Sequence, residues 1–405
     1  MQGPRAETSV RSDRTGQLLL IGGGLLAFTM LGWTGLVVPS LIREIQRDLV
    51  VNDADMGIAY GVFTAMFLAG CLLTGWATSR TGRRPLLLGA LTVMFLGTVA
   101  ALVPSWPVFI AAGALRGLGS GMLEVGIQGL FLAAFTGALQ GRAINSVHFA
   151  YSLGAVIAPI AMAALVGLGI VWTDAMALAA IPIAIAGVML ALAPIEGAPT
   201  RSAGPSVRLR VTIPLVTAGL AIACYVAAEV GVSSWLVRFL ADVDLALAAS
   251  ALTLFWVALA ASRLVVARFG HRVAPETLVM AGFLVATVSL IAAVVVPSIP
   301  ASIALFTATG FALGPVYPGI ILVGGRISTT HKDAVTSLLA SAGVAGAVVY
   351  PPLMGAISLG AGLGVAIGGA GLLCAVGAIF VAVAVRRLGP APDEAASTQA
   401  LVRAG

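Results

Sequence analysis

What the 405-residue sequence has least of is charge: Asp, Glu, Lys and Arg together make up 9% of it, against about 25% in soluble domains. With 60% of residues hydrophobic and a mean hydropathy of +1.07, this shortage excludes a water-soluble globular protein. Cysteine is equally scarce. Cys71, Cys224 and Cys374 each stand alone in an apolar run, with no CxxC pair and no Cys/His spacing, which excludes a disulfide framework and a metal site and leaves small-residue packing as their role. The chain also lacks an H-E-x-x-H run, a G-x-S-x-G elbow and a G-x-x-x-x-G-K-[ST] loop, so hydrolytic and nucleotide-driven chemistry have no residues to act through, and no cofactor is implied. Period-two alternation is missing as well, which excludes a β-barrel.

Long apolar runs are what the sequence does have. A window of about 20 residues finds twelve spans, at 17–41, 56–78, 85–104, 107–135, 142–167, 172–193, 211–240, 246–269, 274–296, 299–325, 333–358 and 362–387. The expected fold is an all-α integral membrane protein in the lipid bilayer. Its 49 Gly and 20 Pro are compatible with membrane helices, where neighbouring groups re-satisfy freed backbone. No segment between spans is long enough to fold as a soluble domain. The longest polar break, EGAPTRSAGPSVRLR at 196–210, falls halfway along the chain. The expected organisation is therefore a tail (1–16), a six-helix bundle (17–193), a linker (194–210), a second six-helix bundle (211–388) and a second tail (389–405). The polar, Arg-rich start leads into a span too long for a signal-peptide core, so the first helix reads as uncleaved.

The net charge of +6 does not indicate nucleic acid, because the basic residues sit in short loops. With the N-terminus inside, Arg80, Arg83, Arg84, Arg142, Arg268, Arg272, Arg326, Lys332, Arg386 and Arg387 all become cytoplasmic. The opposite face receives Arg43, Arg47 and Arg238 among the acids Glu44, Asp48, Asp53, Asp55, Asp174, Asp242 and Asp244. That bias predicts both termini on the cytoplasmic side of the cell membrane.

The halves repeat. Ser79-Arg80-Thr81-Gly82-Arg83-Arg84 follows span 2 as Ala267-Arg268-Phe269-Gly270-His271-Arg272 follows span 8. Gly154 to Pro159 in span 5 is answered by Gly346 to Pro351 in span 11. Duplicated halves place a binding site between them near the midplane. Ionisable residues inside spans point there too, since they normally face a bundle interior or an aqueous path. Arg116 and Glu124 share span 4, eight residues or about 12 Å apart at helical rise. Gln128 lies one turn from Glu124 on the same face, and Asn145, His148 and Ser152 share a face of span 5 at a similar depth. A carboxyl group so placed can load and release a proton, which makes Glu124 the leading proton-coupling candidate and a substrate contact; the alternative is a buried polar network that only fixes helix packing. Glu229 shares a stripe with Tyr225 and Ser233 in span 7 and is either a second proton or substrate group or a structural acid. Arg116 is suited to polar substrate oxygens or to steadying a neighbour. Trp33 and Tyr317 offer rings for stacking or for packing. The paired basic loops, Gly75, Arg80, Gly82, Arg83 and Arg84 with Arg268, Gly270 and Arg272, mark topology or a cytoplasmic gate.

Gly75-Trp-Ala-Thr-Ser79-Arg80-Thr-Gly82-Arg83-Arg84 resembles the loop 2–3 signature of the major facilitator superfamily, G-x-x-x-D-R-x-G-R-R, with Ser79 where that family has Asp. The resemblance implies two pseudo-symmetric six-helix bundles, a monomer, and a secondary transporter working by alternating access; Ser79 removes the acid of the family's cytoplasmic latch. Tyr225-Val-Ala-Ala-Glu229 with Trp235, Gly310 to Pro318, and Glu124/Gln128 with Asn145/His148 are similar to the fucose-permease branch. That likeness implies a small polar, sugar-like solute moved by proton symport. A second likeness, of Gly154 to Pro159 to the exporters' G-x-x-x-G-P with Ala158 in place of the second Gly, implies proton-antiport export of drugs or metabolites instead. Span 1 carries no embedded acid, unlike some proton-linked sugar carriers of this type.

Overall fold

The computed structural model describes residues 14–135, 138–195, 211–327 and 332–389. Most of both expected tails, and residues 196–210 of the expected linker, lie outside them. The first half runs α1 (Arg14–Ser40), a short α2 (Ile42–Leu49), α3 (Asp53–Thr81), α4 (Arg83–Val99) with a 3-10 turn to Leu102, α5 (Trp106–Ala134), α6 (Ala138–Gly167), α7 (Trp172–Ala177) and α8 (Ala180–Leu192). The second runs α9 (Ile213–Phe239), α10 (Leu245–Phe269), a 3-10 turn Gly270–Arg272, α11 (Pro275–Val295), α12 (Ile299–Leu313), α13 (Val316–Gly324), α14 (Lys332–Ala361) and α15 (Leu363–Leu388). Twelve segments among the described residues are long and apolar enough to cross a membrane, two of them broken, as α7–α8 and α12–α13.

Local chemistry sets the helix ends. Asn52 caps α3 and forms a reciprocal capping box with Asp55; Asp244 and Thr212 accept the first free amides of α10 and α9. Proline occupies the first turn of α5, α11 and α12, where its missing donor costs nothing. Gly82 separates α3 from α4 at φ 85°, a conformation that residues with a Cβ rarely adopt.

The two halves repeat the same helix packing. In the first, α3 lies against α5, α1 against α6 and α8, and α4 against α5 and α8; in the second, α10 lies against α12, α9 against α14 and α15, and α11 against α12 and α15. Lipid tails are as apolar as leucine, so contact between membrane helices depends on close approach. The glycines that permit it also repeat. A Cβ on Gly117 of α5 would overlap the Phe63 carbonyl of α3, as one on Gly310 of α12 would overlap Phe255 of α10. Gly154 of α6 meets Thr29 of α1 in the same way, and Gly346 of α14 meets Ala223 of α9.

Between the halves the main seams are α3 with α14 and α6 with α10. Their polar ties gather at the end that carries α2. The Arg43 guanidinium donates to main-chain carbonyls at the C-terminus of α9: Val237 (2.9 and 3.0 Å), Val243 (2.7 Å) and Leu240. Asp53 pairs with Arg238 at 3.0 Å and accepts from Ser358 of α14 at 3.0 Å and from Gln46 at 2.7 Å. Tyr60 donates to the Ser234 carbonyl. Toward the opposite end, where Arg80 and Arg268 lie, no hydrogen bond or ion pair joins the halves among the described residues. Among the described residues the halves are tied by polar contacts at one end only.

Candidate functional site

Two polar clusters lie near mid-depth, one on each half. On the first half, α5 projects Glu124 and Gln128 from one face, and the Gln128 amide nitrogen donates to Glu124 Oε1 at 2.8 Å. Glu124 joins no ion pair among the described residues. On the second half, α10 carries Arg263 beside two groups of α9. Its Nη2 lies 3.7 Å from Glu229 Oε1 and donates to the Tyr225 hydroxyl at 3.3 Å, while its Nε donates to the Gly314 carbonyl at 3.4 Å. Glu229 is buried and its own carbonyl accepts from Ser233. The Tyr225 and Tyr317 rings lie 6.0 Å apart, tilted.

The clusters share one electrostatic environment. Tyr151 of α6 and Tyr317 of α13 each feel Glu124, Glu229 and Arg263. His148 feels Arg263 and sits edge-on to Phe28 of α1, with centroids 6.1 Å apart. His148 and Asn145 are exposed, and no hydrogen bond joins either to Gln128 among the described residues. Glu124 with its partner Gln128, Tyr225, Glu229, Arg263 and Tyr317 thus form one electrostatic neighbourhood, and His148 of α6 lies within reach of Arg263; nothing among the described residues joins Asn145 to them. Arg116 is 3% exposed and lines a separate cavity nearer the tied end. Trp33 of α1 stands beside Gly154 of α6, and its indole nitrogen is buried without a hydrogen-bond partner among the described residues.

Sequence reasoning missed Arg263. It stands alone in an apolar run, as Arg116 does, but only five residues before Arg268, so it reads as part of the basic helix end. The acid-bearing stripe of α9 is what gives it a partner, and that pairing is tertiary. Tyr151 was likewise unmarked.

The basic loops have local structural reasons. The Arg80 guanidinium lies 4.4 Å over Trp76 of its own helix, and the Ser79 hydroxyl bonds the Trp76 carbonyl. Arg268 and Arg272 both lie over Phe269, each at 5.7 Å. Arg83 and Arg84 open α4 directly after Gly82, Gly270 opens the 3-10 turn, and Gly75 faces open space.

Comparison with known proteins gives this arrangement a family. Multidrug resistance protein D of Escherichia coli (strain K12) is 31% identical over 106 residues, 26% of this chain, and the chain spans 25% of that relative's length. Among solved structures, a bacterial homolog to the human lysosomal transporter Spinster, inward-facing and occupied, has a TM-score of 0.77 at 15% identity over 94% of this chain and 100% of that one. A D-xylose-proton symporter has 0.76 at 14% identity, over 90% and 97%. At such identities the likeness is one of fold. The profile described as the Major Facilitator Superfamily matches residues 20–243, more than half of the sequence. With twelve spans, duplicated halves and a polar site between them, this chain belongs to the Major Facilitator Superfamily of transporters.

Proposed function

We propose that this protein is a secondary active transporter that carries a small polar, sugar-like solute by alternating access, coupled to protons as a symporter and working as a monomer in the cell (inner) membrane. The basic loops support an orientation with both termini cytoplasmic, and on it the polar ties between the halves lie at the extracellular end. The solute binds between the Glu124–Gln128 face and the Tyr225, Glu229, Arg263 and Tyr317 cluster, with Asn145 and His148 on the rim. Gating at the cytoplasmic end falls to Arg80, Arg83 and Arg84 with Arg268 and Arg272.

The observation that carries the coupling is the contrast between the two acids. Glu229 faces a cation, and its charge is matched. Glu124 has only the amide of Gln128, and an amide can donate to a carboxylate or accept from a carboxylic acid. Both protonation states of Glu124 are thereby accommodated without a charge partner, which suits a group that must cycle between them. Tyr225, Tyr317 and the Arg263 guanidinium supply donors and ring faces fitted to hydroxyl-bearing solutes. The name of the partial relative, Multidrug resistance protein D, together with the Gly154 to Pro159 stretch, favours export by proton antiport as the second reading.

The test is uptake into proteoliposomes with an imposed pH gradient, for monosaccharides and for lipophilic cations. Glu124→Gln is expected to abolish gradient-driven accumulation while solute exchange at equal concentrations survives. Accumulation by that variant with wild-type pH dependence would move the coupling to Glu229. Accumulation of the lipophilic cations alone would establish the exporter reading.

A further inference from the structure

Arg116 of α5 is a cation without a counter-ion among the described residues. Its residue is 3% exposed, and none of the three ion pairs among the described residues involves it. Of the five N–H donors of a guanidinium, one is used, at 3.4 Å to the Ala112 carbonyl of its own helix. The side chain lines a cavity with Thr34, Gly35, Tyr60, Phe63 and Phe109. Thr34 is itself buried and has no hydrogen bond among the described residues. One turn along α5, the buried Ser120 hydroxyl has no hydrogen-bond partner among the described residues. The remaining guanidinium donors have no anionic acceptor among the described residues. Burying a guanidinium is costly unless an anion accompanies it, and a planar fork of donors is matched best by a carboxylate.

The structure assigns the Arg116 cavity as a binding site for a monovalent anion, held by the guanidinium and the Thr34 hydroxyl. The anion is either the carboxylate of a transported solute or a small free ion. In the first case the solute class above narrows to one that carries an acid group, and that arm rests on the transporter reading; the site itself does not.

The test is thermal unfolding of the full chain in detergent at constant ionic strength, in sodium chloride, sodium acetate and sodium glucuronate, with the bulky sulfonate HEPES as reference. At least one of the three anions is expected to raise the unfolding midpoint by about 2 °C or more. Arg116→Lys should keep part of the response and Arg116→Gln should lose it. Thr34→Asp, which places a carboxylate in the same cavity, should raise the midpoint in HEPES and abolish the response; it decides the matter if Arg116→Gln does not fold. A response to chloride identifies a free-ion site. A response to acetate and glucuronate alone, with glucuronate exchanged in proteoliposome counterflow, identifies the solute's carboxylate. No response in the wild type, or the same response in Thr34→Asp, overturns the assignment. Failure of neutral sugars to be transported would count against the function proposed above and leave this readout intact.

Discussion

Glu44, in the short helix α2 outside the spans, is 8% exposed, and its Oε2 has no hydrogen-bond partner among the described residues. Burial raises its carboxyl above the ordinary value of 4.5, against the opposing pull of a backbone bond, Arg47 and Arg43. A raised folded value means that the folded protein holds this proton more tightly than the unfolded chain does. The stability it contributes is therefore full below 4.5 and is lost as pH rises through the folded value. Glu44→Gln is expected to flatten that dependence and to gain about 1 kcal/mol at neutral pH, read from unfolding midpoints between acid and neutral buffers. A curve no flatter than wild type would show that Glu44 is already relieved by water. At this scale the sequence was partly readable. Glu124 and Gln128 declared themselves because an acid in a long apolar run has few innocent explanations, and their bond follows from helical spacing. Arg263 did not, since a cation near a helix end is ordinary and its meaning depends on Glu229 and Tyr225 of another helix.

At the level of elements, the apolar runs located all twelve spans, with ends displaced by up to four residues (142–167 expected against Ala138–Gly167), because exclusion from water acts on each stretch independently of its neighbours. The breaks in the sixth and tenth spans did not show in hydropathy. The second break coincides with Gly314-Pro315, where proline removes a backbone donor; α2 is too short and polar to register as a span at all. Glycine positions separate packing from permissiveness. Gly154→Val and Gly346→Val each force a side chain into the carbonyl of a facing helix and are expected to cost roughly 1–3 kcal/mol, seen as a lowered unfolding midpoint. Gly75→Ala meets nothing within 4 Å, so it should leave the midpoint unchanged or raise it slightly, by well under about 1 kcal/mol. Transport lost by Gly75→Ala without loss of stability would then report on gating; a lowered midpoint would contradict the open space seen around it.

For the whole molecule, the balance between the state described and one parted at the end that carries α2 rests on the ties there. Asp53 and Arg238 form an ion pair in which Arg238 is 36% exposed, and exposed pairs contribute only about 0–1 kcal/mol. Arg43 makes charge-assisted bonds to three carbonyls at and just beyond the C-terminus of α9, each of a kind worth roughly 1.5–3 kcal/mol. Arg43→Ala is thus expected to shift the population toward opening at this end far more than Asp53→Asn. The measure is thiol labelling of Tyr60→Cys, placed on the seam; equal labelling in the two variants would show that the latch is held by packing instead. The halves and their symmetry were visible in repeated loop and glycine motifs. The latch was not, because its strongest acceptors are main-chain atoms, which no sequence pattern marks.

Those acceptors give the latch an unequal inheritance. Toward Arg43, Val237, Leu240 and Val243 contribute only their carbonyls, so an apolar exchange that keeps the packing of the buried Val237 and Leu240 side chains leaves the acceptors in place, and no change of acidity can neutralise what they offer. In this set of bonds the mutational risk falls on Arg43, a single codon on the opposite half, whose loss no substitution at the three acceptors can repair.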